Sequence, residues 1–397
     1  MEEGVVNEVL KGPLGELFDQ RQLLTDVSGS GNNWAHGHHV YGPQYRDTLL
    51  ETVRRAVEQC DSLQSFLILH SLGGGTGSGL GSYILEMLGD EFPDVYRFTT
   101  SIFPSEDDDV ITSPYNALLS LSRLVENADC VFPVDNQSLA DICARIDSRS
   151  GKMKSNSSLA GPKDRSTGQK PFDAMNGVAA SLLLGVTSSV RFEGSLNVDL
   201  NEITNNLVPY PKMHFLIPSL SPYATPRDVA FATAGPRALE TTCSQVFSRE
   251  HQLLRADPRN STYLACGMLF RGAVTISDVQ RNLARIKPTL RMVPWNPEGF
   301  KIGLCSVPPV NSPLSLTCLS NNCCVRSTFS NMQERFQKLY KRKVYVHHYT
   351  QFMEEAIFDE AYQSVEQLVC DYANLDKQDP TATAPTPRMN PLGLSFL

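Results

Sequence analysis

Behind the apolar run SFLIL, residues 70–82 read HSLGGGTGSGLGS, with six glycines in thirteen positions. A strand, a glycine-rich turn and a helix in succession can cradle an anion. Bare main-chain N–H groups face it, and the helix N-terminus adds a positive end worth roughly 0.3–1 kcal/mol. Thr76 and Ser78 can add hydroxyl donors. The two common phosphate fingerprints are absent: no lysine stands in G-x-x-x-x-G-K-[ST] spacing, and no glycines fit G-x-G-x-x-G. The same glycines also suit a turn in which helix and strand simply pack closely. A second loop, SGSGNNWAHGHH at 28–39, precedes another helical pattern. Two such loops in one domain can enclose a polyphosphate from two sides.

Other reactive side chains read more plainly. His36, His38 and His39 lack Cys or carboxylate companions at zinc-site spacing, so the sequence assigns them no metal. Asp107 and Asp108 read as part of a solvated acidic loop. The ten cysteines are scattered without a C-x-x-C pair and read as reduced, buried thiols, Cys323 and Cys324 among them.

The elements that must position the loops alternate. Residues 44–60 place Leu49, Leu50, Val53 and Val57 on one helical face. SFLIL (65–69), YRFTTSIF (96–103) and CVFPVD (130–135) read as strands, with helices behind each in LGSYILEMLGD, PYNALLSLSRLVEN and NQSLADICARI. That order predicts a parallel, doubly wound α/β sheet. Residues 146–171 are rich in Ser, Gly and Lys and read as an inserted flexible loop. The stretch 172–192 follows as a helix apolar on most sides, hence expected to be buried. KMHFLIPSL, TYLACGMLFRG and KIGLCSVPP then read as strands of a second α/β domain, with a helix at TISDVQRNLARIK capped by Thr275 and Asp278. From about 324 the chain turns helical, and from Asp376 four prolines without apolar period predict a disordered tail.

With 397 residues, 41% apolar and 20% charged, the composition is that of a folded protein of several domains. Net charge −8 and no Lys/Arg stripe argue against nucleic-acid binding. The acidic start MEEGVVNEVL resembles no secretory leader and no apolar run is of bilayer length, so a soluble chain without membrane partners is expected.

GGGTGSG (73–79) resembles the signature loop of tubulins, and SGSGNNWAHGH resembles the tubulin loop that closes over the terminal phosphate. GSLNVDLNEITNNLVPYPKMHFLIP (194–218) is similar to the tubulin stretch with the catalytic loop. ADPRNSTYLACGMLFRG, VPWNPEGFKIGLC and LYKRKVYVHHYTQFMEEAIFDEA follow in tubulin order, so the resemblance runs from residue 1 to about 375. It implies a tubulin-like fold of four parts: a GTP-binding domain over 1–192, an intermediate domain over 193–323, a helical domain over 324–375 and a tail over 376–397. GTP and Mg²⁺ are the implied cofactors. Ser71, Gly73, Gly74, Gly75, Thr76 and Gly77 would hold the α- and β-phosphates, and Gly29, Ser30, Gly31 and Asn32 would face the γ-phosphate. Asn136 and Asn176 match the asparagines that bond guanine, Phe172 the aromatic ring that stacks on it, and Asp109 an acid of the sugar loop. Ser113 stands where many tubulins have a glutamate near the ribose. Tubulin GTP hydrolysis is completed by the neighbouring subunit. By that resemblance Asp199 and Glu202 would serve a nucleotide in an adjacent chain, Glu202 orienting or deprotonating water with a gain of typically ~10²–10⁴.

Three departures carry further expectations. MEEGVV matches the loop after the second tubulin strand, so the first strand, helix and second strand are absent from the sequence as it stands. Glu2 aligns with an acid near Mg²⁺, without its aspartate companion. Weakened nucleotide binding and stability are the expected consequence. The insert at 146–171 and the wording of residues 70–117 resemble epsilon-tubulin most among tubulin classes. That implies a cytoplasmic, cytoskeletal role at centrosomes, centrioles and basal bodies, with delta-tubulin, α/β-tubulin and centriolar proteins as partners. The alternative is a scaffold or unstable splice product without nucleotide. The tail DPTATAPTPRMNPLGLSFL lacks a glutamate run, so no polyglutamylation is expected there.

Overall fold

The computed structural model describes residues 3–13, 15–105, 108–149, 172–223, 236–310 and 312–377. Three apolar runs form a parallel sheet in the order β1-β2-β3, with β1 Ser65–Ser71, β2 Tyr96–Phe103 and β3 Cys130–Asp135. Ser65 lies opposite Tyr96, and Phe98 opposite Cys130. β3 is buried along its whole length, as a parallel strand covered on both faces must be. Among the described residues β1 lies at one edge of this sheet, and its Leu69 is 58% exposed.

Helices follow each strand, so the doubly wound α/β expectation holds. Gly42–Glu58 and Gly81–Glu91 pack Leu50, Met87 and Leu88 beside Phe66 and Ile68 of β1. Ser113–Asn127 is buried on nearly every side because it lies between the sheet and two C-terminal helices, Val325–Tyr340 and Ala356–Asp376. Phe329, Phe336, Phe358 and Tyr372 fill that contact. On the other face, Val178 and Leu182 of Asp173–Val186 join Phe132 and Val134 of β3 in a second core.

A second, four-stranded sheet has the order β4-β7-β5-β6: β4 Ile217–Ser221, β5 Tyr263–Gly272, β6 Phe300–Cys305 and β7 Leu314–Asn322. β7 runs antiparallel to β4 and β5, whereas β5 and β6 are parallel. The sheets meet where Val131 N–H donates to His214 O (2.9 Å) and Leu216 N–H to Val131 O (2.9 Å). Thr275 accepts from Asp278 N–H (3.2 Å) and caps Ile276–Ile286 as the sequence predicts.

Several expectations change. β7 is absent from the sequence reading because its buried residues include Ser320, Asn321 and Asn322, which mask the apolar signal. Asn321 Nδ2 donates to Leu207 O (2.9 Å) and Met213 O (2.8 Å), which makes its burial tolerable. The 172–192 helix divides into Asp173–Val186 and Ser188–Arg191 and is buried on one face only, with Leu184 44% and Val190 53% exposed. Helix Asn136–Arg149 takes in the first residues of the expected insert, and 150–171 lie outside the described residues, as do 378–397. Glu3–Leu10 forms a helix where the resemblance implies a loop. Cys60 and Cys370 are exposed, against the expectation of buried thiols. No helix among the described residues is long and apolar enough to cross a membrane.

Candidate functional site

The two glycine-rich loops meet beyond the C-terminal end of β1. Leu72 N–H donates to Ile102 O (3.0 Å), the chain turns through Gly73–Gly75, and Thr76 opens the next helical turn. Opposite, Gly31 (φ 58°) and Asn32 (φ 53°) take left-handed conformations, and Asn33 Oδ1 accepts from Ala35 N–H (2.9 Å) to start a helix. Ser30 Oγ and Thr76 Oγ1 are 3.1 Å apart and join the loops directly. Both uses of glycine occur side by side. A Cβ on Gly75 would overlap Ser30 Oγ and lie 2.5 Å from Asn33 N, and one on Gly77 would lie 2.8 Å from Ser71 O. Gly74, by contrast, would meet only Asn32 Oδ1, at 3.7 Å. Close packing therefore requires Gly75 and Gly77, while Gly74 faces open space. Among the described residues, the N–H groups of Gly29, Gly31, Asn32, Gly74 and Gly75 have no hydrogen-bond partner. Unpaired donors converging from two loops suit a phosphate chain.

The hydroxyls divide differently from expectation. Ser78 is fully buried and donates to Gly74 O, so it turns away from the gap. Ser71 Oγ accepts from Gly73 N–H (3.4 Å) within its own turn. In the sugar loop Asp108 is the engaged acid: its Oδ2 accepts from the buried Ser113 hydroxyl (2.9 Å) and lies 2.8 Å from a Cβ position on Gly73. Asp109 is exposed, and Asp108, which the sequence reads as solvated, is the acid held within the loop.

Asn136 opens the helix after β3, two strands from the glycine turn, about 10 Å at ~4.8 Å per strand, and Phe172 and Asn176 stand at the start of the helix packed on it. The Asn136 and Asn176 amides have no side-chain partner among the described residues, and the Phe172 ring is 60% exposed. Asp135, unnoticed in the sequence, accepts from Gln137 N–H (3.3 Å) and from Ser138 Oγ (3.4 Å). Burial raises its pKa and these bonds offset part of the rise.

Glu202 and Asp199 stand apart from these loops, on the first turn of Leu200–Leu207. Buried Val198, Leu200 and Ile203 anchor that turn, while the Glu202 side chain is 46% exposed and pairs with Lys301 Nζ of β6 at 2.8 Å. Asp199 is exposed and its carboxylate makes no capping bond. No hydrogen bond or ion pair links either acid to Ser28–Asn33 or to Gly73–Gly77 among the described residues. Glu2 lies outside the described residues, and no cluster of three or more metal-binding side chains occurs within them.

The histidines pack as rings: His38 stacks on Trp34 at 4.5 Å and its Nε2 is 3.2 Å from Glu86. Burial lowers the His39 pKa to about 4. Two side chains that the sequence reading left out, the half-buried His70 and the buried Asn116, support the glycine turn. His70 places Nδ1 2.9 Å from Gly77 O and Nε2 2.8 Å from Ser101 Oγ. Asn116, fully buried, donates from Nδ2 to Asn32 O (2.8 Å) and Gly73 O (2.9 Å). A polar residue in the apolar pattern of a buried helix was the available signal for Asn116.

Comparison with known proteins matches residues 1–144 to the GTPase domain of the Tubulin/FtsZ family and residues 211–334 to the tubulin C-terminal domain. The chain is 54% identical to a tubulin epsilon chain of Mus musculus over 403 residues, covering 98% of this chain and 84% of that one. It is 54% identical to the epsilon chain of Homo sapiens with the same coverage, and 37% identical to a tubulin beta-2 chain of Suillus bovinus, covering 94% and 80%.

Proposed function

The chain belongs to the tubulin family and is epsilon-tubulin-like; from that premise we propose a GTP-binding cytoskeletal subunit acting in centriole and basal-body microtubule organisation. One observation carries the nucleotide site: free main-chain donors of Gly29, Gly31 and Asn32 meet those of Gly74 and Gly75 across a gap that the 3.1 Å Ser30–Thr76 contact spans. GTP would lie with its phosphates between these loops and its guanine toward Phe172, Asn136 and Asn176. Ser71 and Gly77 act through the shape of the turn. Asp109 is free to meet the sugar. Glu202 serves a neighbouring subunit, where a carboxylate aligns water or takes its proton. Asp199 starts its helix. Other tubulins, delta-tubulin and α/β-tubulin included, and centriolar proteins are the partners, at the centrosome. Mg²⁺ would accompany the GTP phosphates; Glu2, the acid that the resemblance sets near it, lies outside the described residues. A nucleotide-free scaffold is the second reading, and the Asp108 carboxylate beside Gly73 favours it because an acid there opposes a phosphate. Isothermal titration separates the two: micromolar or tighter GTP binding supports the first, and no binding supports the second. For hydrolysis, Glu202→Ala in copolymer with α/β-tubulin is expected to slow GTP turnover ~10²-fold or more, and unchanged turnover rejects the role.

A further inference from the structure

The geometry points to Asn116 as the positioning residue that sets the spacing of the two phosphate loops; the inference rests on the GTP reading of those loops. Its amide uses all four of its hydrogen-bonding positions. Nδ2 donates to Asn32 O (2.8 Å) in one loop and to Gly73 O (2.9 Å) in the other. Oδ1 accepts from Trp34 N–H (3.0 Å) and from the Tyr349 hydroxyl (2.7 Å). The neighbours leave the amide one orientation, because the two carbonyls can only accept and the Trp34 N–H can only donate. A carboxylate of the same shape lacks both donors, and an apolar side chain leaves Gly73 O, Trp34 N–H and the Tyr349 hydroxyl without this partner and Asn32 O with only the 3.3 Å bond from Thr112 Oγ1.

Each of the two bridged carbonyls lies one residue from a free donor. Asn32 O follows Gly31, and Gly73 O immediately precedes the Gly74 N–H in the same peptide unit. Orienting the Gly73–Gly74 peptide therefore orients a free N–H that faces the gap, whereas the Asn32–Asn33 peptide carries an N–H already bonded to Ser30 O (3.1 Å), so there the bridge holds the turn from which the Gly31 and Asn32 donors project. Neither loop can hold this spacing alone: Gly31 and Asn32 are left-handed, and Gly73 and Gly74 carry no Cβ. Asn116 itself comes from Ser113–Asn127, a helix packed on nearly every side, so the bridge is anchored in the core. It does not line the gap and would not touch the nucleotide.

The test compares the full chain with Asn116→Asp and Tyr349→Phe variants. Tyr349→Phe removes one bond from the same amide without touching either loop. GTP and guanosine affinities are measured by isothermal titration, and amide hydrogen exchange is followed at residues 29–33 and 72–77 without nucleotide. Asn116→Asp is expected to weaken GTP about tenfold or more, to leave guanosine binding unchanged, and to speed exchange in both loops. Tyr349→Phe is expected to lower stability while keeping the ratio of GTP to guanosine affinity. Equal loss of both ligands, or unchanged exchange in either loop, overturns the role. If the unmodified chain binds neither ligand, the GTP reading fails and the exchange arm still decides on the bridge. Should Asn116→Asp not fold, Asn116→Ser keeps one donor and is read by the same two measurements.

Discussion

Gly74→Ala and Gly75→Ala form the sharpest pair of perturbations. The backbone at Gly75 (φ −98°, ψ −39°) suits alanine, so any cost there is steric. A Cβ would overlap Ser30 Oγ, which can rotate, but also lie 2.5 Å from Asn33 N and 2.9 Å from Asn33 O, which belong to the opposing backbone. Relief requires the loops to part. Overpacking of this kind costs about 1–3 kcal/mol, a substantial share of the ~5–15 kcal/mol stability of a folded domain. At Gly74 the nearest atom stands at 3.7 Å, an ordinary contact, and φ is not in the left-handed region. Alanine there is expected to be neutral or to stabilise by up to ~1 kcal/mol by restricting the unfolded chain. Its methyl group nevertheless enters the gap between the loops, so GTP binding is expected to fall. The two substitutions should therefore separate: urea midpoints drop for Gly75→Ala and hold for Gly74→Ala, while Gly74→Ala loses GTP affinity in titration. Equal urea midpoints for the two variants would refute the division of roles among these glycines.

Three further outcomes are expected. Gly31→Ala meets no neighbour within 4 Å but is held at φ 58°, so it should cost ~1–2 kcal/mol from backbone strain alone, read by urea denaturation; no loss would mean that the loop readily adopts another conformation. Burial lowers the His70 pKa from its ordinary 6.5, so the unfolded chain takes up the proton first as pH falls. The stabilising effect of the neutral ring is complete above pH 6.5 and declines below it, by at most ~1.4 kcal/mol per pH unit. Denaturation at several pH values should show that slope reduced in His70→Asn, and an identical slope in both proteins contradicts it. Lys301→Met breaks the exposed pair with Glu202 and should change stability by less than ~1 kcal/mol; a larger loss on thermal unfolding would show that the pair supports the fold.

The three strands of the first sheet and the start of the helix at 276 were legible because apolar runs and a Thr–Asp cap state their own geometry. β7 was not, because Thr317, Ser320, Asn321 and Asn322 are buried among its leucines and break the apolar run until their hydrogen bonds are known. The partition of Asp108 and Asp109 was equally hidden, since only the Ser113 hydroxyl decides which acid is engaged. The glycine loops could be named from sequence, but not the work of each glycine. Gly75 and Gly77 are defined by what opposes them, and Gly74 by the lack of any close neighbour. Asn116 and His70 illustrate the same limit: their importance lies in partners distant along the chain, such as Tyr349, 233 residues from Asn116.

β1 pairs with β2 on one side alone among the described residues, over all seven of its positions. Because the glycine turn issues directly from the end of this strand, the β1–β2 ladder is also the footing of the nucleotide cradle, and whatever loosens one rung is passed to Gly73 and Gly74 along a single stretch of backbone.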